Sequence, residues 1–100
     1  MVYIMTWQVQ LTKHAFKQID ALSEKGLLVL QVLIDNLQSR GPAPGSQWPN
    51  YGKLQGTKKT DKRHCHLLKG RPTYVCCWEV FSFERRIEVY YVGTHEKAPY

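Results

Sequence analysis

His64 and His66 stand two residues apart in "RHCHLLKGRPTYVCCWEV", residues 63 to 80. At that spacing two imidazoles share one side of a β-strand. They suit a metal, an acid/base pair or nothing beyond an ordinary strand. Zinc asks for about four N or S ligands in a tetrahedron. Cys65 faces away from both histidines, Cys76 and Cys77 face opposite sides, and no C-x-x-C spacing occurs. A cysteine nucleophile competes with a simpler role, because thiols inside apolar strands behave as small core residues.

The third chemistry is acid/base work on a phosphodiester. Cleaving RNA through its own 2′-OH needs a base for the hydroxyl proton, cations for the phosphorane and an acid for the departing 5′ oxygen. Histidine serves as base or acid near neutrality. Arg and Lys stabilise the growing phosphate charge. Arg71 is in phase with Thr73, Val75 and Cys77 on the next strand, and His95 and Tyr100 follow the last strand. Few carboxylates accompany them; Glu79 and Glu96 are nearby in sequence. None of these roles requires a metal or another cofactor. Each histidine also has a purely structural reading.

These residues must be positioned by a small framework. Trp7, Val9 and Leu11 alternate with polar residues, the period of a half-buried strand. Thr12 is placed to cap a helix over 13–22, with Ala15, Phe16, Ile19 and Leu22 on its inner side and Lys17, Gln18 and Asp20 away from it. "SEKG" breaks or bends it. A second helix to about Ser39 carries Leu30, Leu33, Ile34 and Leu37 on one stripe, and Gly41 and Pro42 end it. "GPAPGSQWPNYG" is a loop whose Trp48 and Tyr51 either pin it to the core or stack on a base. From about 63 the period returns to two. A hairpin at Gly70, Arg71 and Pro72 leads into "TYVCCWEVFSF", apolar on both faces and therefore central. "ERR" turns the chain into the last strand, 87–93. The expected order is β-α-α-β-β-β. It is an α+β fold with a helical hairpin on one face of an antiparallel sheet and the other face free for the site.

One hundred residues make one domain, 1–100. Fourteen Lys and Arg face eight Asp and Glu, a net charge of +6. Seven of the basic residues fall between 53 and 71: Lys53, Lys58, Lys59, Lys62, Arg63, Lys69 and Arg71. Such a localised field attracts phosphates or an acidic protein, or it is a solvated loop. Three cysteines with no paired framework, no signal core and no apolar run near 20 residues predict a soluble cytoplasmic protein without a membrane partner.

Three stretches carry a resemblance. "KLQG" at 53 to 56 is similar to the "KLxG" entry to the second strand of the RelE/ParE superfamily of bacterial toxin–antitoxin toxins. "HCHLLKGRPTYVCCWEV" resembles the alternating basic strand, hairpin and central strand of its RelE-like mRNA-cleaving branch. "IEVYYVGTHEKAPY" resembles the last strand, its "VG" end and the tail with a basic residue and a Tyr.

The resemblance implies a ribosome-dependent endoribonuclease that cuts mRNA, inhibits translation and is held inactive by a cognate antitoxin. By position the family's two alternating lysines fall on His64 and His66. The arginine ending the last strand falls on His95, and the C-terminal tyrosine on Tyr100. Arg71 is the nearest cation in phase for the third-strand arginine. The resemblance implies His64 or His66 as base, His95 as acid, Arg71 and Lys53 on the phosphate, and Tyr100 on a nucleotide. Lys58, Lys59, Lys62 and Arg63 would grip RNA. The sister ParE branch, which inhibits gyrase, has the same fold and needs no such cluster. A non-catalytic RNA-binding module is the third reading.

Overall fold

The computed structural model describes residues 6–54 and 59–100. Lys58, one of the expected RNA-binding residues, and the end of "KLQG" lie outside the described residues.

Strand β1 (Gln8–Leu11) leads into helix α1 (Lys13–Gln18). Thr12 caps α1, its hydroxyl accepting the Ala15 N–H at 3.1 Å. The helix is shorter than its sequence pattern suggests and tightens into a 3-10 turn at Ile19–Ala21. Six residues offer the core only one inward position, taken by Ala15; Phe16, expected inside, is 68% exposed. Gln18, expected to point outward, instead accepts the Val92 N–H on its Oε1 at 2.9 Å. The reason is that β1 ends early, so amides further along the last strand need another acceptor.

The first helical segment ends before "SEKG", as expected, and the second helix starts within it. Ser23 caps α2 (Glu24–Arg40) by accepting the Gly26 N–H at 3.1 Å. Leu30, Leu33 and Leu37 are buried on its inner stripe, each stabilising the fold by about 1.5–3 kcal/mol. Gly41 ends the helix at φ 88, a left-handed conformation, and a Cβ there would sit 2.8 Å from Trp7 Nε1. The following loop is pinned to the core: Trp48 is buried and its Nε1 donates to Asn36 Oδ1 at 3.0 Å. Tyr51 stacks on Trp78 with ring centroids 6.1 Å apart. Both aromatics are structural.

The remaining strands are β2 (Gly52–Lys53), β3 (Lys62–Leu68), β4 (Tyr74–Phe81) and β5 (Arg86–Thr94). The sheet order is β1-β5-β4-β3-β2, with β4 central as expected. The α+β architecture of helices over one sheet face holds. The sheet is mixed where an antiparallel one was expected, because β1 runs parallel to β5. Alternation of apolar residues sets which face a strand buries but carries no information about its direction. Cys65, Cys76, Trp78, Ile87, Val89 and Val92 face the helices, while Val75, Cys77 and Tyr91 form a second small cluster on the opposite face. Among the described residues no helix is long and apolar enough to cross a membrane.

Candidate active site on the open sheet face

Strand β3 places Lys62, His64 and His66 on the face away from the helices, with Cys65 and Leu67 buried beneath. Opposite them β4 offers Cys77 to His64 and Val75 to His66. After β5 the chain folds back across this face. His95 begins a 3-10 turn, and its N–H donates to Thr73 O at 2.8 Å. Ala98 packs on the second apolar cluster and draws the tail inward.

Four rings converge as a result. His66 meets His95 edge-on with centroids 5.2 Å apart, and His64 meets Tyr100 at 4.8 Å. His64 and His66 are 6.5 Å apart, and His95 and Tyr100 6.0 Å. They come from β3, the turn after β5 and the C-terminal tail. Arg71 borders the same region: a groove of about 450 Å³ between the β3–β4 hairpin and the last turn is lined by Arg71, Thr73, Thr94, His95 and Glu96. That volume is within the usual range for a small-molecule site.

The His64 ring has a defined tautomer. Its Nδ1 lies 3.2 Å from Gly52 O. A carbonyl only accepts, so Nδ1 carries the hydrogen and Nε2 keeps its lone pair in the neutral ring. Partial burial holds the His64 pKa below 6.5, with the His95 charge adding to the effect and the Gly52 carbonyl opposing it. Burial also lowers the pKa of His66, assisted by His95, His64 and Lys69. Both shifts favour the neutral, proton-accepting form of the ring. Titrating the ring protons by NMR should give midpoints below 6.5 for both. The folded form binds these protons more weakly than the unfolded chain. Stability is thus complete above the unfolded value and falls as pH drops through 6.5 toward the depressed midpoints. A urea midpoint that rises on acidification through that window would contradict this.

The other predicted residues divide into separate groups. Lys62 lies 5.2 Å from the Tyr90 ring centroid, on the face of the histidines. Lys53 pairs across strands with Arg63, while Gly52 pairs with His64. With Lys59, Asp61 and Lys62, Lys53 borders a second groove of about 300 Å³. Arg63 is a structural cation. It chelates Asp61 at 3.0 and 2.8 Å, donates to Tyr51 Oη at 3.0 Å and has only 13% of its side chain exposed. Its hydrogen bond and charge hold the Asp61 carboxyl below the usual range. Replacing Arg63 by Ala should lower stability by about 1–3 kcal/mol, since Asp61 and Tyr51 lose their donor. RNA affinity should drop less than for Lys62→Ala, measured by filter binding.

The thiols are inert. Burial raises Cys65 and Cys77 to about 12 and Cys76 well above the ordinary value. Among the described residues no three or more His, Cys, Asp or Glu are grouped so as to hold a metal ion.

Tyr91 and Thr73 support the site through bonds to the Thr94–His95 peptide, a role their sequence positions do not signal. "YY" in a strand predicts opposite faces for Tyr90 and Tyr91. An irregularity opposite Cys77 and Trp78 breaks that alternation, since Cys77 pairs with Tyr91 and Trp78 with Val89. Both tyrosines then pack on the Cys77 side.

No protein-family model matches the sequence, and no curated protein matches it. Solved structures do. The archaeal RelE–RelB complex from Pyrococcus horikoshii contains a chain that superposes with a TM-score of 0.75 at 21% identity, over 94% of this chain and 100% of that one. The fold is that of the RelE toxins. The isolated E. coli RelE toxin superposes at 0.60 with 20% identity, covering 93% of this chain and 88% of its own. A metal-bound toxin from Helicobacter pylori superposes at 0.70 with 20% identity, covering 91% and 97%. On this RelE fold the four rings sit on the sheet face that the helices leave uncovered.

Proposed function

We propose that this chain is the toxin of a toxin–antitoxin pair and an endoribonuclease that cleaves mRNA on the ribosome, restrained by a cognate antitoxin. The observation that carries this reading is the convergence of His64, His66, His95 and Tyr100 on the uncovered face of a RelE-like sheet. RelE crystallised in complex with RelB is the parallel for the antitoxin partner.

The residues divide the reaction between them. His64 Nε2, or His66 beside it, takes the 2′-OH proton, and the 2′ oxygen attacks phosphorus. The bond from phosphorus to the 5′ oxygen breaks, and His95 gives that oxygen a proton. The products are a 2′,3′-cyclic phosphate and a 5′-hydroxyl. Arg71 stabilises the phosphorane charge from the groove beside His95, and Tyr100 stacks on a nucleotide. Proton transfer by imidazoles accomplishes these steps without a metal. Lys53, Lys59 and Lys62 follow the RNA backbone along the second groove, so binding weakens as salt rises.

The test is to incubate the protein with programmed ribosomes and map the RNA ends. Site-specific cuts with cyclic-phosphate and 5′-hydroxyl termini are the expected result. Loss of gyrase supercoiling with intact RNA would identify a gyrase poison instead, and RNA binding with neither effect would leave a non-catalytic module.

A further inference from the structure

We propose that Tyr91 is the positioning residue for His95, acting through the peptide group that joins Thr94 to His95. The claim concerns His95 geometry, and its kinetic consequence rests on the nuclease reading above.

Tyr91 is buried on the open face, in the cluster with Val75 and Cys77. Its hydroxyl donates to Thr94 O at 2.7 Å. The N–H of the same peptide group, that of His95, donates to Thr73 O at 2.8 Å. One peptide plane is thus clamped at its oxygen by β5 and at its nitrogen by the residue preceding β4. Rotation of that plane is the motion that would swing the His95 Cα, and with it the imidazole, away from His66 and Tyr100. Further along, Ala98 N–H donates to His95 O at 3.2 Å. The turn is held on both sides of the histidine.

The phenol reaches its acceptor only because Gly93 lies between. A Cβ on Gly93 would come within 2.7 Å of the Tyr91 hydroxyl oxygen and 2.9 Å of Cζ. Tyr91, Gly93 and Thr94 therefore work as one unit: a donor, a gap and an acceptor. Thr73 is itself fixed, its hydroxyl donating to Gly70 O at 3.0 Å, so the other side of the clamp is anchored in the β3–β4 hairpin.

Tyr91→Phe keeps the ring and removes only the donor. In the full-length protein the expected result is weaker NMR cross-relaxation between the His95 and His66 rings and faster exchange of the His95 amide. In the ribosome assay kcat should fall by about tenfold or more with KM nearly unchanged, because a small misplacement of a proton-transfer group costs rate rather than binding. Gly93→Ala leaves the hydroxyl present but displaces it, and should reproduce both changes; it carries the test if Tyr91→Phe does not fold. The two effects should overlap in the double variant and not add. Ring cross-relaxation and amide exchange unchanged in folded Tyr91→Phe would overturn the assignment. A loosened His95 in a protein that never cuts RNA would support the positioning role and refute the nuclease instead.

Discussion

Replacing His95 by alanine is expected to lower mRNA cleavage by about 10² or more while the protein stays folded. That range is typical for loss of a positioned acid or base. The side chain is exposed on a 3-10 turn, and its described contacts are through space with His66 and Tyr100. Exposed positions of this kind usually change stability by no more than about 0.5 kcal/mol. Tyr100→Ala should behave in the same way, because the ring is 51% exposed and rests on His64. Single-turnover cleavage on programmed ribosomes, read beside thermal melts, separates the two effects. Unchanged cleavage in both variants would end the acid/base proposal. Unfolding of either would mean that the ring belongs to the core.

Trp78→Ala should have the largest effect on stability. Trp78 is fully buried in the central strand, stacks on Tyr51 at 6.1 Å and donates from Nε1 to Pro42 O at 3.3 Å. It therefore joins the sheet, the β2 approach and the loop after α2. Removing a buried Trp side chain costs about 3–5 kcal/mol, against a total of about 5–15 kcal/mol for a domain of this size. At about 4–8 °C per kcal/mol, the thermal midpoint should drop by more than about 12 °C. Trp78→Phe keeps an aromatic ring and forfeits the indole donor, so its loss should be smaller. Urea denaturation of the three proteins orders them. Equal midpoints for Ala and wild type would show that the stack and the packing at 78 contribute nothing.

The placement of the β3 side chains in the candidate site was legible because strand periodicity is a local property. The spacing of His64 and His66 puts them on one face whatever the strand pairs with, and the apolar "TYVCCWEVF" run marks a central strand, flanked by β3 and β5. Thr12 and Ser23 cap helices by bonds to residues three positions on, which is again local. "SEKG" separates the two helices, and its serine caps the second, so that helix begins inside the stretch. Arg63 shows the limit of a local reading. Its charge is visible in the sequence, but its partners Asp61 and Tyr51 are brought to it only by folding.

Residue types, their alternation and the position of each turn follow from the sequence itself, because a backbone with period two or 3.6 sorts side chains onto faces without long-range information. The parallel pairing of β1 with β5, the irregularity that brings Tyr90 and Tyr91 to one side, and the return of the tail over the sheet do not. They are decided by contacts between segments far apart in the chain, where the hydrogen-bond partner of one amide depends on which strand happens to end beside it. His95 and Tyr100 meet the β3 histidines for that reason alone: Thr73 and the Cys77 cluster supply the anchors, and only the tertiary structure brings the anchors and the tail together.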